Sequence, residues 1–108
     1  MPMEESAMTL YMLCRKDGVQ ENELKQFNLK GNEILVINRN NKFYCLEARC
    51  THAGAPLAEG ELENGVLKCP WHGSRFNIET GEVVRGPAKK QLRTYSSIVK
   101  DNSLFVEL

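Results

Sequence analysis

The 108-residue chain contains only two histidines, and each stands within three residues of a cysteine. The pairs are Cys50-Thr51-His52 and Cys69-Pro70-Trp71-His72, with the sixteen residues from Ala53 to Lys68 between them. Each pair offers one soft thiolate and one imidazole, side chains that together suit transition-metal coordination. A disulfide framework is the competing use of four cysteines, but it belongs to exported chains. Here the first residues, Met1-Pro2-Met3-Glu4-Glu5-Ser6, are acidic and lack an apolar export core. Metal binding by Cys50, His52, Cys69 and His72 is therefore the leading expectation.

The rest of the chain narrows the setting. Lysine plus arginine and aspartate plus glutamate are 14 each, so the formal net charge is zero, which implies neither a nucleic-acid patch nor a polybasic membrane tail. No apolar stretch approaches the roughly 18 residues of a membrane span, so a cytoplasmic protein is expected, without membrane attachment and monomeric. The length suits a single domain, 1–108.

Short β-like runs recur along it: 9–14, 24–29, 33–38, 43–46, 65–68, 76–78, 82–84, 92–99 and 104–108. Turn signals separate them, among them Gly31-Asn32, Arg39-Asn40-Asn41-Lys42, Glu63-Asn64-Gly65, Thr80-Gly81 and Asp101-Asn102-Ser103. Many short strands with closely spaced turns predict an all-β sandwich or barrel, not a βαβ fold. A helical turn is expected within 21–26. Cys14 and Cys45 lie in β-like runs, where cysteine acts as a small buried hydrophobe.

The order Cys, His, Cys, His separates two readings of the metal. Structural zinc sites more often group two cysteines before two histidines, and a zinc-stabilised module is the less favoured reading. Two similar loops that each bring one thiolate and one imidazole can clamp a [2Fe–2S] cluster with two cysteines on one iron and two histidines on the other. Glycine lets backbone approach a cluster closely, and Gly54 and Gly73 follow the two pairs. Ser74 can donate its hydroxyl to a cluster sulfur, which favours the reduced state.

Cys50-Thr51-His52-Ala53-Gly54 and Cys69-Pro70-Trp71-His72-Gly73-Ser74-Arg75-Phe76 resemble the Rieske motif, C-x-H and C-x-x-H in glycine-containing loops. The resemblance implies an antiparallel β-sandwich or barrel with a small cluster-binding β subdomain, about 45–87, inserted into a basal domain of about 9–44 and 88–108. It implies one Rieske-type [2Fe–2S] cluster per chain, with Pro87 in a loop covering it from a third side. Cytochrome bc Rieske proteins carry a disulfide between the cluster loops and a tyrosine after the serine. Ala55, Trp71 and Phe76 occupy those places here, so the ferredoxins of bacterial ring-hydroxylating dioxygenases are the nearer likeness.

The resemblance therefore implies an electron carrier and not an enzyme. A flavin-containing NAD(P)H reductase would be its donor, and a terminal oxygenase or other redox enzyme its acceptor. A Rieske-like small subunit of a larger enzyme, of nitrite reductase type, is the alternative. Ala53, Pro56, Leu57 and Trp71 are expected to form an apolar docking lip. Arg75, Arg85, Lys89 and Lys90 are read either as solvated surface or as cations that steer an acidic partner.

Overall fold

The computed structural model describes residues 9–108. Its strands are β1 (Leu10–Arg15), β2 (Leu24–Leu29), β3 (Asn32–Arg39), β4 (Lys42–Glu47), β5 (Glu61–Glu63), β6 (Val66–Lys68), β7 (Arg75–Asn77), β8 (Val83–Arg85), β9 (Thr94–Tyr95), β10 (Ser97–Lys100) and β11 (Ser103–Glu107). Single 3-10 turns occur at Lys16–Gly18 and Leu57–Glu59. All pairings are antiparallel, and they form three sheets ordered β1-β11-β10, β2-β3-β4-β9 and β5-β6-β7-β8. The chain is all-β, as its pattern of short strands and turns predicts. Among the described residues no helix is long and apolar enough to cross a membrane.

Four hairpins close through two-residue turns in which both residues have positive φ: Lys30-Gly31, Asn40-Asn41, Asn64-Gly65 and Asp101-Asn102. That backbone matches the right-handed twist of the flanking strands, and it selects asparagine and glycine. Strand β3 lies between two cores because its side chains alternate. Ile34 and Val36 pack toward Leu104 and Val106 of the first sheet, while Leu35 and Ile37 pack toward Leu57, Leu67, Phe76 and Leu92. All of these are fully buried.

Four expectations are corrected by this structure. Residues 21–26 form no helical turn, because the alternation of Leu24–Leu29 is satisfied by pairing with β3. The run 92–99 is not one strand: β9 pairs with β4 and β10 with β11, so the chain changes sheet at Ser96. Cys45 lies inside β4, paired with Val36, so the base extends through Glu47 and regains the chain at β9. Cys14 is only half-buried, whereas Cys45 is fully buried.

Candidate metal centre

The four-stranded sheet β5-β6-β7-β8 and three loops build the tip of the molecule. The first loop leaves β4, the second joins β6 to β7, and the third joins β8 to β9. The first carries Cys50 and His52; the second carries Cys69 and His72. In the first, the Cys50 N–H donates to the Ala55 carbonyl (2.9 Å) and the Gly54 N–H to the Cys50 carbonyl (2.8 Å). In the second, the Cys69 N–H donates to the Ser74 carbonyl (2.8 Å). Each cysteine thus heads a tight backbone loop, turned by Gly54 (φ 76°) and Gly73 (φ 75°).

The four side chains sort by depth. Cys50 and Cys69 are buried, 3% and 2% exposed, and their sulfurs lie within hydrogen-bond reach of each other. His52 and His72 are exposed, with ring centroids 5.0 Å apart and planes inclined by 78°. Burial pushes the Cys50 thiol up, opposed by the N–H groups of His52 and Ala53 that point at its sulfur. Those N–H groups are ready donors to a thiolate, the form cysteine takes on a metal.

Among the described residues, no three His, Cys, Asp or Glu side chains converge as ligands of one ion. Two thiols inside and two imidazoles outside instead match the donor set of a group with two irons, one held by sulfur and one by nitrogen. The residues present fit a [2Fe–2S] group of that kind.

The residues expected around the ligands are placed unevenly. Ser74 is fully buried, and its Oγ accepts the Ala88 N–H (3.0 Å), leaving the hydroxyl proton for a second acceptor. Pro87 is exposed on the third loop. Ala53 and Trp71 are exposed, Trp71 by 56%, and Pro56 is half-buried. Leu57 is a correction: it is 0% exposed and belongs to the core beneath the loops, so it is no part of a docking lip. Cys45 stands apart, with burial pushing its thiol up to about 12.

Several residues at the tip carry no mark in the sequence. Arg49 forms a two-point ion pair with Glu33 of β3 (2.8 and 3.2 Å) and donates a third hydrogen bond to the Gly54 carbonyl (3.0 Å). Thr51, between the two ligands of its loop, donates to the Lys90 carbonyl of the third loop. The partners are 16 and 39 residues away in sequence, so no local motif reveals them. A hydroxyl lodged between two ligands was the one signal available for Thr51.

Comparison with known proteins agrees with this geometry. The chain is 33% identical over 95 residues to ferredoxin CarAc of Metapseudomonas resinovorans, covering 87% of this chain and 89% of that one. It is 30% identical over 94 residues to human apoptosis-inducing factor 3; there it covers 87% of this chain but spans only 16% of the relative's length. A chain from the complex of reduced oxygenase and oxidized ferredoxin in carbazole 1,9a-dioxygenase superposes with a TM-score of 0.84 at 31% identity, covering 90% and 91% of the two chains. The model of the Rieske [2Fe-2S] domain matches residues 9–96, and the chain belongs to that family.

Proposed function

We propose that this protein is a one-electron carrier, with Cys50 and Cys69 holding one iron of a Rieske [2Fe–2S] cluster and His52 and His72 holding the other. The observation that carries the reading is the exposed pair of imidazoles, 5.0 Å apart, above two buried cysteines. The bound group supplies reversible uptake of one electron. The chain's own residues do the rest. Burial of the cysteine side keeps water from the sulfurs, and the histidine edges provide the short path to a partner. Ser74 and the N–H groups of His52 and Ala53 offer donors to sulfur, which favour the more negative reduced state.

A flavin-containing NAD(P)H reductase is the proposed electron donor and a terminal oxygenase the proposed acceptor. Support comes from the similarity to ferredoxin CarAc and to the complex of oxygenase and ferredoxin in carbazole 1,9a-dioxygenase. The protein is then a component of a redox system and not its catalyst. The two cysteines outside the cluster, Cys14 and Cys45, are not joined in a disulfide, which suits a reducing compartment, and we place the protein in the cytoplasm. The match to a 16% segment of a longer relative supports a second reading, in which the same domain serves as a module or small subunit of a larger redox enzyme.

The test is iron and sulfide analysis together with pulsed electron paramagnetic resonance of the dithionite-reduced protein. Two irons, two sulfides and nitrogen couplings from two imidazoles are expected. His72→Cys should remove one coupling and lower the potential toward the roughly −400 mV of all-cysteine clusters, from the Rieske range of about −150 to +300 mV. A colourless protein with one zinc would overturn the proposal.

A further inference from the structure

The third loop carries a charge pattern that the electron-carrier reading does not use. From Arg85 to Arg93 the sequence is Arg-Gly-Pro-Ala-Lys-Lys-Gln-Leu-Arg, four cations and no acid. Arg85, Lys89, Lys90 and Arg93 are all exposed. Among the described residues the ion pairs are Arg15 with Asp17, Arg49 with Glu33 and Arg75 with Glu63, so no ion pair engages these side chains, and the one carboxylate bonded to the strip is Glu47, which accepts the Arg93 N–H (2.6 Å) at its end.

The strip is fastened to both ligand loops. Gly86, at φ 101°, lies so close to the second loop that a Cβ there would sit 2.6 Å from the Ser74 Cα. Two residues on, the Ala88 N–H is bonded to Ser74 Oγ, and two residues further the Lys90 carbonyl accepts from Thr51. Lys89 therefore stands between two anchored residues, beside the loops that bear His52 and His72. Elsewhere at the tip, Glu59, Glu61 and Lys68 line a cleft with Cys69 and Pro70, so charges of both signs meet there. The strip is thus a local excess of positive charge in a chain that is neutral overall, with 14 charges of each sign.

In a neutral protein the net charge exerts no long-range pull, and what a partner feels is the local pattern within a screening length of about 8 Å at physiological salt. Unpaired cations on a fixed loop favour a surface that brings carboxylates to them, and they repel a basic one. We infer that the 85–93 strip is an electrostatic docking edge, and that the redox partner exchanging electrons through the histidine tip presents a carboxylate-rich surface to it. The inference rests on the electron-carrier reading and adds the polarity of the partner.

The test uses the holoprotein on gold electrodes coated with carboxylate-terminated or amine-terminated monolayers. The carboxylate surface should give a reversible one-electron wave, and the amine surface little current. Raising salt to about 1 M, where the screening length falls to about 3 Å, should abolish the wave. The variant K89E/K90E should lose about tenfold in current on carboxylate while keeping the resonance spectrum of the reduced protein. Equal currents for both proteins on carboxylate, or a wave only on the amine surface, would overturn the inference. A spectrum without any reduced-state signal would overturn the carrier reading itself, and the inference with it.

Discussion

Arg49 shows how one side chain can tie a ligand loop to the base. Its guanidinium fork grips Glu33 on β3, Gln26 also donates to that carboxylate (3.3 Å), and the remaining N–H holds the Gly54 carbonyl. The hydrogen bond from Arg49, and then its charge, hold the Glu33 carboxyl below its usual value. Because the folded state binds this proton less tightly than the unfolded chain, the pair's contribution is complete above the ordinary value of 4.5 and vanishes as pH falls through the lower folded value. The stability difference between wild type and Glu33→Gln, read from urea midpoints, should therefore be constant at neutral pH and shrink toward zero below 4.5. Ser74 makes a different demand, since it is fully buried and satisfies the Ala88 N–H. Ser74→Ala leaves that donor unpaired in a buried position, which should cost about 1–3 kcal/mol in urea unfolding. The same variant should lower the reduction potential in protein-film voltammetry, because a donor toward the cluster sulfurs is gone.

At the scale of elements, the hairpin turns decide the register of the sheets. Asn40 and Asn41 close β3 onto β4 at φ 56° and 63°, a conformation that costs other L-residues about 1–2 kcal/mol. Asn41→Ala should therefore destabilise by about 1 kcal/mol and lower the melting temperature by about 4–8 °C. Asn41→Gly should leave calorimetric stability near wild type, since glycine enters this region freely. These hairpins were legible because asparagine and glycine announce the turn locally. Strand β5 was not: Glu61-Leu62-Glu63 offers one apolar residue, and it is a strand only because β6 pairs with it. The break at Ser96 was equally hidden, since 92–99 alternates like one strand while its two halves serve different sheets. The four Cys and His residues were legible through spacing, whereas Arg49 and Thr51 depend on partners in other loops. Leu57 misled because an apolar residue near the ligands suits a lip and a core alike, and only tertiary packing distinguishes them.

At the scale of the molecule, β3 divides the protein into two cores with separate duties. One core contains Ile34, Val36, Cys45, Leu104 and Val106 and joins the basal sheets. The other contains Leu35, Ile37, Leu46, Leu57, Leu67, Phe76 and Leu92 together with Cys50 and Cys69. The two proposed cysteine ligands are thus packed into one core and not the other, and adjacent residues of one strand report on each. Ile34→Ala and Leu35→Ala should both destabilise by about 2–5 kcal/mol, because each opens a cavity at a fully buried site. Their effects on the tip should differ. Leu35→Ala should raise amide exchange in the three tip loops and speed loss of iron to a chelator, whereas Ile34→Ala should loosen β1 and β11 and leave chelation near the wild-type rate. Equal acceleration of iron loss in both variants would mean that the two cores yield as one unit. Selective acceleration by Leu35→Ala would mean that the base can carry a local change in the ligand loops without itself opening.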